Sequence, residues 1–382
     1  MPTTTAYTGQ VTSYTDTTAQ VRCIEELIHN VSPDAVPLTK LIGLNSIKNP
    51  PVFSTTYEWL EDALAPMSAV LDDTGIANTT ATQFGLATTA DSKYFRVGHI
   101  IKIEDELLWV SASDYAGTLT VSRGFGSTTA AAHTTDDLTV DIVGIAMIEG
   151  ADASTGFKMD VTTGYNYTQV IQDTVQVTGT QAKMKQYGIK GEMPYQITKK
   201  FKELAVALEK NLFHGYRASG SSTTARAFGG LLQFITNNVT SCSSAALTEK
   251  NIMDTLQMCF VDVGQEYMPD TIVCSGWAKR KIASFYAPYA RMDRQERVGG
   301  VVVDQIDTDF GRLDVLLDVW CKDSDIWLLS TKLLGIGPMR PFEEQELSKS
   351  GDYEKRQIVG EYTFKCSSND AHGRVYGFST SS

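Results

Sequence analysis

The residues that could do chemistry in this chain are numerous but poorly spaced for it. Six cysteines (Cys23, Cys242, Cys259, Cys274, Cys321, Cys366) are scattered, and no pair shows C-x-x-C spacing. They read as reduced, mostly buried thiols and point to synthesis in the cytosol. Five histidines (His29, His99, His133, His214, His372) stand apart from one another and from any cysteine at ligand spacing. Each therefore reads as a structural or surface residue rather than a metal ligand. Carboxylates cluster at Glu104-Asp105-Glu106 and at Glu343-Glu344, but adjacency does not make a catalytic dyad. The first run reads as a hairpin turn, the second as a solvated loop. The phosphate loop G-x-x-x-x-G-K-S/T, the zinc pair H-E-x-x-H and the nucleophile elbow G-x-S-x-G are all missing from the sequence. Arg123 to Thr128 (RGFGST) sets Gly124 and Gly126 beside hydroxyls that could cradle a phosphate. Without a lysine or a following helix, the run reads as a β-turn. Four N-x-S/T sequons (Asn30, Asn78, Asn166, Asn238) carry no meaning in a cytosolic protein. No enzymatic activity, cofactor or metal is expected.

Composition points the same way. The 382 residues are 42% hydrophobic and 20% charged, an ordinary globular profile for roughly two or three domains. The net charge of −12 argues against a protein built to grip nucleic acid, which needs Lys and Arg to displace phosphate counterions. The charge does not exclude proximity to DNA. The opening MPTTTAYTGQ lacks the basic start and apolar core of a signal peptide, so standard export is not expected. No apolar run approaches the ~18 residues that span a bilayer.

The elements that must carry any function can be read from periodicity. Residues 1–51 form an arm, Thr-rich at first, with one amphipathic stretch at Val21–Asn30 and then Pro33, Pro37, Pro50 and Pro51. In Val52–Leu60 (VFSTTYEWL), Phe53, Thr55, Tyr57 and Trp59 share one side of a strand. Tyr165–Thr178 (YNYTQVIQDTVQVT) offers it a partner, and together they suggest a long projecting hairpin. Between them, short strands at Tyr94–Val97, Ile100–Ile103, Leu107–Val110, Leu119–Ser122 and Leu138–Val143 suggest a small β-barrel or sandwich. A helix is expected over Pro194–His214, with Ile197, Phe201, Leu204, Ala205, Leu208 and Leu212 forming its apolar stripe. Lys199, Lys200, Lys202, Glu209 and Lys210 lie largely off that stripe. Thr248–Val263 reads as a helix capped by Thr248, with Ile252, Leu256, Cys259 and Phe260 inward. Thr271–Cys274 is a strand and Trp277–Tyr286 a helix. Strands follow at Val301–Val303, Leu313–Leu317, Ile326–Leu329 and Ile358–Cys366. Without regular β-α alternation the class is α+β. Arg291, Arg294 and Arg297 recur every three residues between Asp293 and Glu296, downstream of Lys279-Arg280-Lys281. They suit a solvated face, or pairing with acidic surfaces of neighbouring copies.

That order of arm, hairpin, long helix and mixed α/β region resembles the Hong Kong 97-type fold of tailed-phage major capsid proteins. YEWLEDAL (Tyr57–Leu64) and YNYTQVIQDTVQVTGTQ (Tyr165–Gln181) resemble the two sides of that family's extended E-loop. EKNLFHG (Glu209–Gly215), followed by GGLLQFI, resembles the end of its spine helix. RPFEEQELSKSGDYEKRQIVGEYTFKCSSNDAHGRVYGF (Arg340–Phe378) resembles the C-terminal segment of one subfamily. The stretch Asp72–Ala151 departs from the minimal pattern. The resemblance implies an N-terminal arm (1–51), an E-loop (52–71 and 152–190) and an all-β domain inserted in it (72–151). A peripheral domain with the spine helix (191–247 and 335–382) and an axial domain (248–334) complete it.

The resemblance further implies a structural subunit that assembles with itself as pentamers and hexamers into an icosahedral shell enclosing double-stranded DNA. A portal, and a scaffold or cement protein, are its expected partners, with no membrane. The location implied is the virion, with assembly in the host cytoplasm. Tyr57, Trp59, Tyr165 and Tyr167 are expected as exposed aromatic anchors on neighbouring subunits, with Lys199, Lys200, Arg291, Arg294 and Arg297 as charged contacts. The competing readings are an encapsulin-like nanocompartment shell and a β-rich virion surface or tail adhesin. The adhesin leaves the long amphipathic helix unexplained.

Overall fold

The computed structural model describes residue 33 and residues 35–48, 50–72, 76, 78–134, 138–152, 156–185, 191–286 and 304–380. The stretch Val21–Asn30, the strand expected at Val301–Val303 and the series Arg291, Arg294 and Arg297 lie outside them. Contacts divide the chain into two compact units, Leu60–Thr163 and Met1–Trp59 with Gly164–Ser382.

A short helix, α1 (Pro37–Ile42), begins at a proline and leads to strand β1 (Thr56–Glu61). The smaller unit follows, with β2 (Ser68–Val70), β3 (Gln83–Gly85), β4 (His99–Ile103), β5 (Glu106–Ser113), β6 (Thr118–Ser122) and β7 (Thr139–Ile145). These pair antiparallel in the order β2-β7-β4-β5-β6-β3. A bridge between Leu71 and Leu86 joins the two end strands, with Ala87 N donating to Val70 O at 2.9 Å. The sheet is therefore a closed six-stranded barrel without a free edge. Alternation along the strands fills it with Ile101, Ile103, Leu108, Val110, Leu119 and Val121. Four of the five expected strands are present. Tyr94–Val97 is instead the end of a 3-10 turn (Thr89–Tyr94) and the loop after it, with Phe95 buried in the barrel. The compact unit is wider than 72–151 because β2 belongs to the barrel's own sheet.

In the larger unit, β8 (Thr162–Tyr167) pairs with β1. Then come β9 (Gln169–Thr178), the short α2 (Gly179–Lys183), the long α3 (Glu192–His214) and α4 (Leu231–Phe234). After β10 (Asn238–Ser241) follow α5 (Glu249–Val263), β11 (Thr271–Cys274), α6 (Gly276–Tyr286), β12 (Gln305–Thr308), β13 (Gly311–Leu317) and β14 (Asp325–Leu329). The chain ends in β15 (Leu334–Glu346), β16 (Tyr353–Cys366) and β17 (Gly373–Tyr376). Two sheets result. One is a mixed six-stranded sheet in the order β10-β17-β14-β11-β13-β12, parallel at β10/β17 and β11/β13. The other is a long antiparallel sheet, β15-β16-β9. The expected hairpin is thus corrected. Tyr165–Thr178 breaks at Thr168: its first half pairs with β1, while its second half pairs with β16 over Gln169–Thr178. The last strand, β17, lies between β10 and β14 and so joins segments assigned above to different domains. Glu343 and Glu344 lie in β15 rather than in a loop, and Glu344 meets Arg356 at 2.5 Å.

Helix α3 is 23 residues long, about 35 Å. It buries Ile197, Leu204, Leu208, Leu212 and Phe213, and lies against β9 and β16. Burial of each such side chain contributes about 1.5–3 kcal/mol. Its end is sealed by close backbone approach, since a Cβ on Gly230 would sit 2.4 Å from Asn211 O. Helix α5 buries Ile252, Leu256 and Cys259, while Phe260, expected inward, is exposed. Thr248 N donates to Asn251 Oδ1 at 3.0 Å and closes its first turn.

The barrel carries one buried ionic knot. The Glu106 carboxylate accepts from Arg123 Nε at 2.7 Å, Gly124 N at 3.1 Å and Ala131 N at 3.0 Å, and contacts His133 Nε2 at 3.0 Å. His133 Nδ1 meets Glu104 at 2.8 Å. The RGFGST run therefore wraps a carboxylate of its own chain, with Gly124 and Gly126 in left-handed conformation (φ 63° and 65°). Burial pushes the Glu106 carboxyl up, but the Arg123, Ala131, His133 and Gly124 donors outweigh it and hold it at about 2. The unfolded chain takes up this proton first, so the knot's stability is present above the ordinary carboxylate range and lost as pH falls toward 2. The barrel should lose about 3 kcal/mol over that fall. Denaturant titrations of wild type and Glu106→Gln across acidic pH check this. The gap between the two should shrink as pH drops, and parallel profiles would contradict it.

Candidate assembly surfaces

The exit and return of the chain are fixed by β1 and β8. Trp59 packs on Phe234 with ring centroids 5.9 Å apart, and Gly164 lies so close that a Cβ there would be 2.4 Å from Trp59 Nε1. Beside it the fully buried Asn166 donates to Gly229 O at 3.0 Å and Phe364 O at 2.6 Å, and accepts from Gly229 N at 2.8 Å. Its sequon is therefore inaccessible. Tyr57 and Trp59 are only 7% and 6% exposed, so the expectation that they are outward anchors is corrected. The period-two alternation of β1 holds, but its aromatic side faces the core and Glu58 and Leu60 face out. Tyr165 is exposed, with the Arg217 guanidinium 3.9 Å above its ring and Tyr167 edge-on at 5.8 Å.

A second tie crosses the long sheet. Glu361 on β16 is buried and accepts from Thr168 Oγ1 at 2.6 Å and Arg340 Nη2 at 3.1 Å, and it pairs with Arg226. Arg226 Nε also donates to Thr168 O at 2.7 Å, which fastens the 217–227 loop to the break between β8 and β9. Burial pushes the Glu361 carboxyl up, but the Thr168 hydroxyl and the Arg340 and Arg226 cations hold it below its ordinary value.

The N-terminal segment is seated by polar and apolar contacts together. Leu38 and Ile42 of α1 are buried in the main core. Ser46 N and Ile47 N donate to Ile336 O at 3.1 and 3.3 Å, and Ile336 N donates to Ser46 Oγ at 2.7 Å. Gly335 and Gly337 leave room for Ile47, which a Cβ at either would meet within 3.0 Å. Glu209 of α3, read from sequence as an off-stripe charge, is fully buried and accepts from Leu38 N and Thr39 N at 2.7 and 2.8 Å.

Lys199 of α3 is exposed, whereas Lys200 is engaged within the chain, at 2.9 Å from Asp173 and 2.7 Å from Glu203. Lys279 pairs with Asp304 at 2.9 Å. On the smaller unit, Leu64, Met67, Val143, Ile145 and Ile148 are exposed, and Met67 O accepts from Ile142 N at 2.7 Å beside Val143. The described cysteines are buried and unbridged. Among the described residues no group of three or more His, Cys, Asp or Glu could hold a metal, and no helix is long and apolar enough to cross a membrane.

The profile of the SU10 major capsid protein family matches residues 7–379. The chain belongs to that family. It is thus a structural subunit of a phage capsid shell, with the Hong Kong 97-type fold. No curated protein matches. Among solved structures, the capsid asymmetric unit of cyanophage A-1(L) is 10% identical, with a TM-score of 0.56 over 96% of this chain and 99% of that one. Mycobacterium phage Bobi is 10% identical, with a TM-score of 0.50 over 96% and 98%. The SrpI encapsulin complex of Synechococcus elongatus PCC 7942 is 9% identical, with a TM-score of 0.42 over 58% and 79%.

In this capsid protein, the residues that tie these segments together, Asn166, Glu361 and Glu209, were not read from the sequence as buried ties. Only Glu209 carried a signal. It stands four residues after Ala205 and three before Leu212, on the apolar stripe itself, where a charge must find partners. Glu361→Ala would leave the partly buried Arg226 and the more exposed Arg340 without their shared carboxylate, and Thr168 without its acceptor. The subunit should lose about 1–3 kcal/mol, read by chemical denaturation. A loss within the surface range of about 0.5 kcal/mol would show that the network is dispensable.

Proposed function

We propose that this capsid subunit forms pentamers and hexamers that close into an icosahedral shell around double-stranded DNA. Assembly takes place in the cytoplasm of a bacterial host, with a portal and a scaffold or cement protein as partners. The carrying observation is the family match over residues 7–379. The net charge of −12 supports a container that encloses DNA without gripping it. In this reading β1, β8 and β9 belong to the E-loop, the barrel is its insertion, α3 is the spine, and the β11–β14 region packs around the capsomer axes.

With Tyr57 and Trp59 inside, the surfaces offered to neighbours are different ones. Tyr165, Tyr167 and Lys199 remain from the sequence reading, and Arg291, Arg294 and Arg297 join them as charged contacts. The barrel's exposed aliphatics add the apolar area that an obligate contact needs. Charge placed on that patch should block assembly without unfolding the subunit. Ile145 is 66% exposed, so Ile145→Glu should change subunit stability by less than about 0.5 kcal/mol. Electron microscopy should then show few or no shells, and normal shells would remove the patch from the interface. Deletion of residues 1–30 should likewise leave a folded subunit, judged by circular dichroism, that no longer closes shells. Wild-type shells from that deletion would refute the arm's role.

A further inference from the structure

Two acidic side chains meet in the interior where three parts of the chain converge. Glu209 comes from α3, and Asp318 from the connection after β13. Both are 0% exposed. The Glu209 carboxylate holds the first amides of α1, Leu38 N and Thr39 N, together with the Thr39 hydroxyl. Asp318 Oδ1 accepts from Trp320 N at 2.8 Å, while its Oδ2 lacks a hydrogen-bond partner among the described residues. Trp320 Nε1 in turn donates to Ala35 O at 2.9 Å, on the segment just before α1. The same few residues therefore grip the foot of the N-terminal segment from two sides.

Two carboxylates cannot both stay charged in such a site, because neither burial nor repulsion is offset by a cation. Lys210, next in α3, places its ammonium 4.4 Å from the Trp320 ring centroid and makes no ion pair with either acid. Among the described residues, the Cys321 thiol faces Asp318 and lies beside Cys274, and burial pushes both thiols up. Beyond Cys321 lies Asp325, which is paired with Arg374 at 2.6 Å. Burial and the adjacent Asp318 carboxyl push the Glu209 carboxyl up to about 7, against the pull of the Thr39 hydroxyl and amide.

We propose that Glu209 and Asp318 form a one-proton latch for the N-terminal segment. With one proton shared by the two carboxyls, a hydrogen bond joins Glu209 to the free Oδ2 of Asp318, and Glu209 stays turned toward α1. When that proton leaves to solvent, two negative charges face each other, the carboxyls separate, and α1 loses its cap. The latch is closed at mildly acidic pH and opens as pH rises through neutrality. Its importance for assembly rests on the shell reading. Its chemistry does not.

The test uses the full-length free subunit, so it stands apart from whether shells form. Hydrogen exchange of residues 35–48, corrected for intrinsic rates, is compared at about pH 5.5 and about pH 8.5. In wild type, protection of this segment should fall about tenfold at the higher pH, with α5 and the barrel as internal references. In Asp318→Asn the amide can donate to Glu209 at every pH, so protection should hold constant. Equal wild-type protection at both pH values, or an unchanged pH dependence in Asp318→Asn, would overturn the latch. Should that variant not fold, wild type alone decides by infrared difference spectroscopy. A protonated-carboxyl band that persists at about pH 6, above the ordinary carboxylate range, and vanishes at about pH 8.5 is expected. Its absence at the lower pH would overturn the proposal.

Discussion

The chain leaves its larger unit at Trp59, builds a barrel of about a hundred residues, and must return to the same place at Gly164. Several distant parts of the larger unit meet at that return. The missing side chain of Gly164 admits the Trp59 ring, and the ring seats on Phe234. Two residues on, Asn166 bonds both the Gly229 loop and β16. An indole, a glycine and an amide thus join four stretches of sequence at one point. The unsatisfied backbone groups that would follow from slipping it by one residue make its register costly to change.

Apolar burial supplies the bulk of the folding energy here, as it does generally, but it specifies position poorly. Position is set by buried charges with several donors each. Glu361 ties β16 to β9, β15 and the 217–227 loop. Glu106 ties the barrel's hairpin turn to the loop that follows β6. Glu209 ties the N-terminal segment to α3. Each acid is costly to bury and is kept only by geometry, so each penalises any arrangement but one. For a subunit repeated many times in a shell, such intolerance is useful.

Periodicity made the local elements legible. The stripe of α3, the cap of α5 and the alternating barrel strands are properties of short windows, and they stand in the structure within a few residues of their expected ends. What periodicity could not convey was sidedness and partnership. In β1 the alternation of Tyr57 and Trp59 with Glu58 and Leu60 says that the two sets face opposite ways. Which set meets a core depends on Phe234, which lies far along the chain. Likewise β9 looks like a mate for β1 until β16 competes for it, with Gln169 opposite Tyr362. Glu209 was misjudged for a different reason. A lone acid among lysines on a helix reads as surface, and only its place on the stripe argued otherwise. Arg291, Arg294 and Arg297 lie outside the described residues, and that series stands as a sequence reading.

The position of β17 carries a consequence for how the polypeptide is made. It occupies the gap between β10 and β14, more than 130 residues downstream of the first and more than 40 beyond the second. A growing chain on the ribosome therefore holds β10 and β14 apart, with two unsatisfied edges, until Gly373–Tyr376 emerges. Prematurely terminated products cannot complete this sheet and should be cleared as unfolded rather than built into particles as defective tiles.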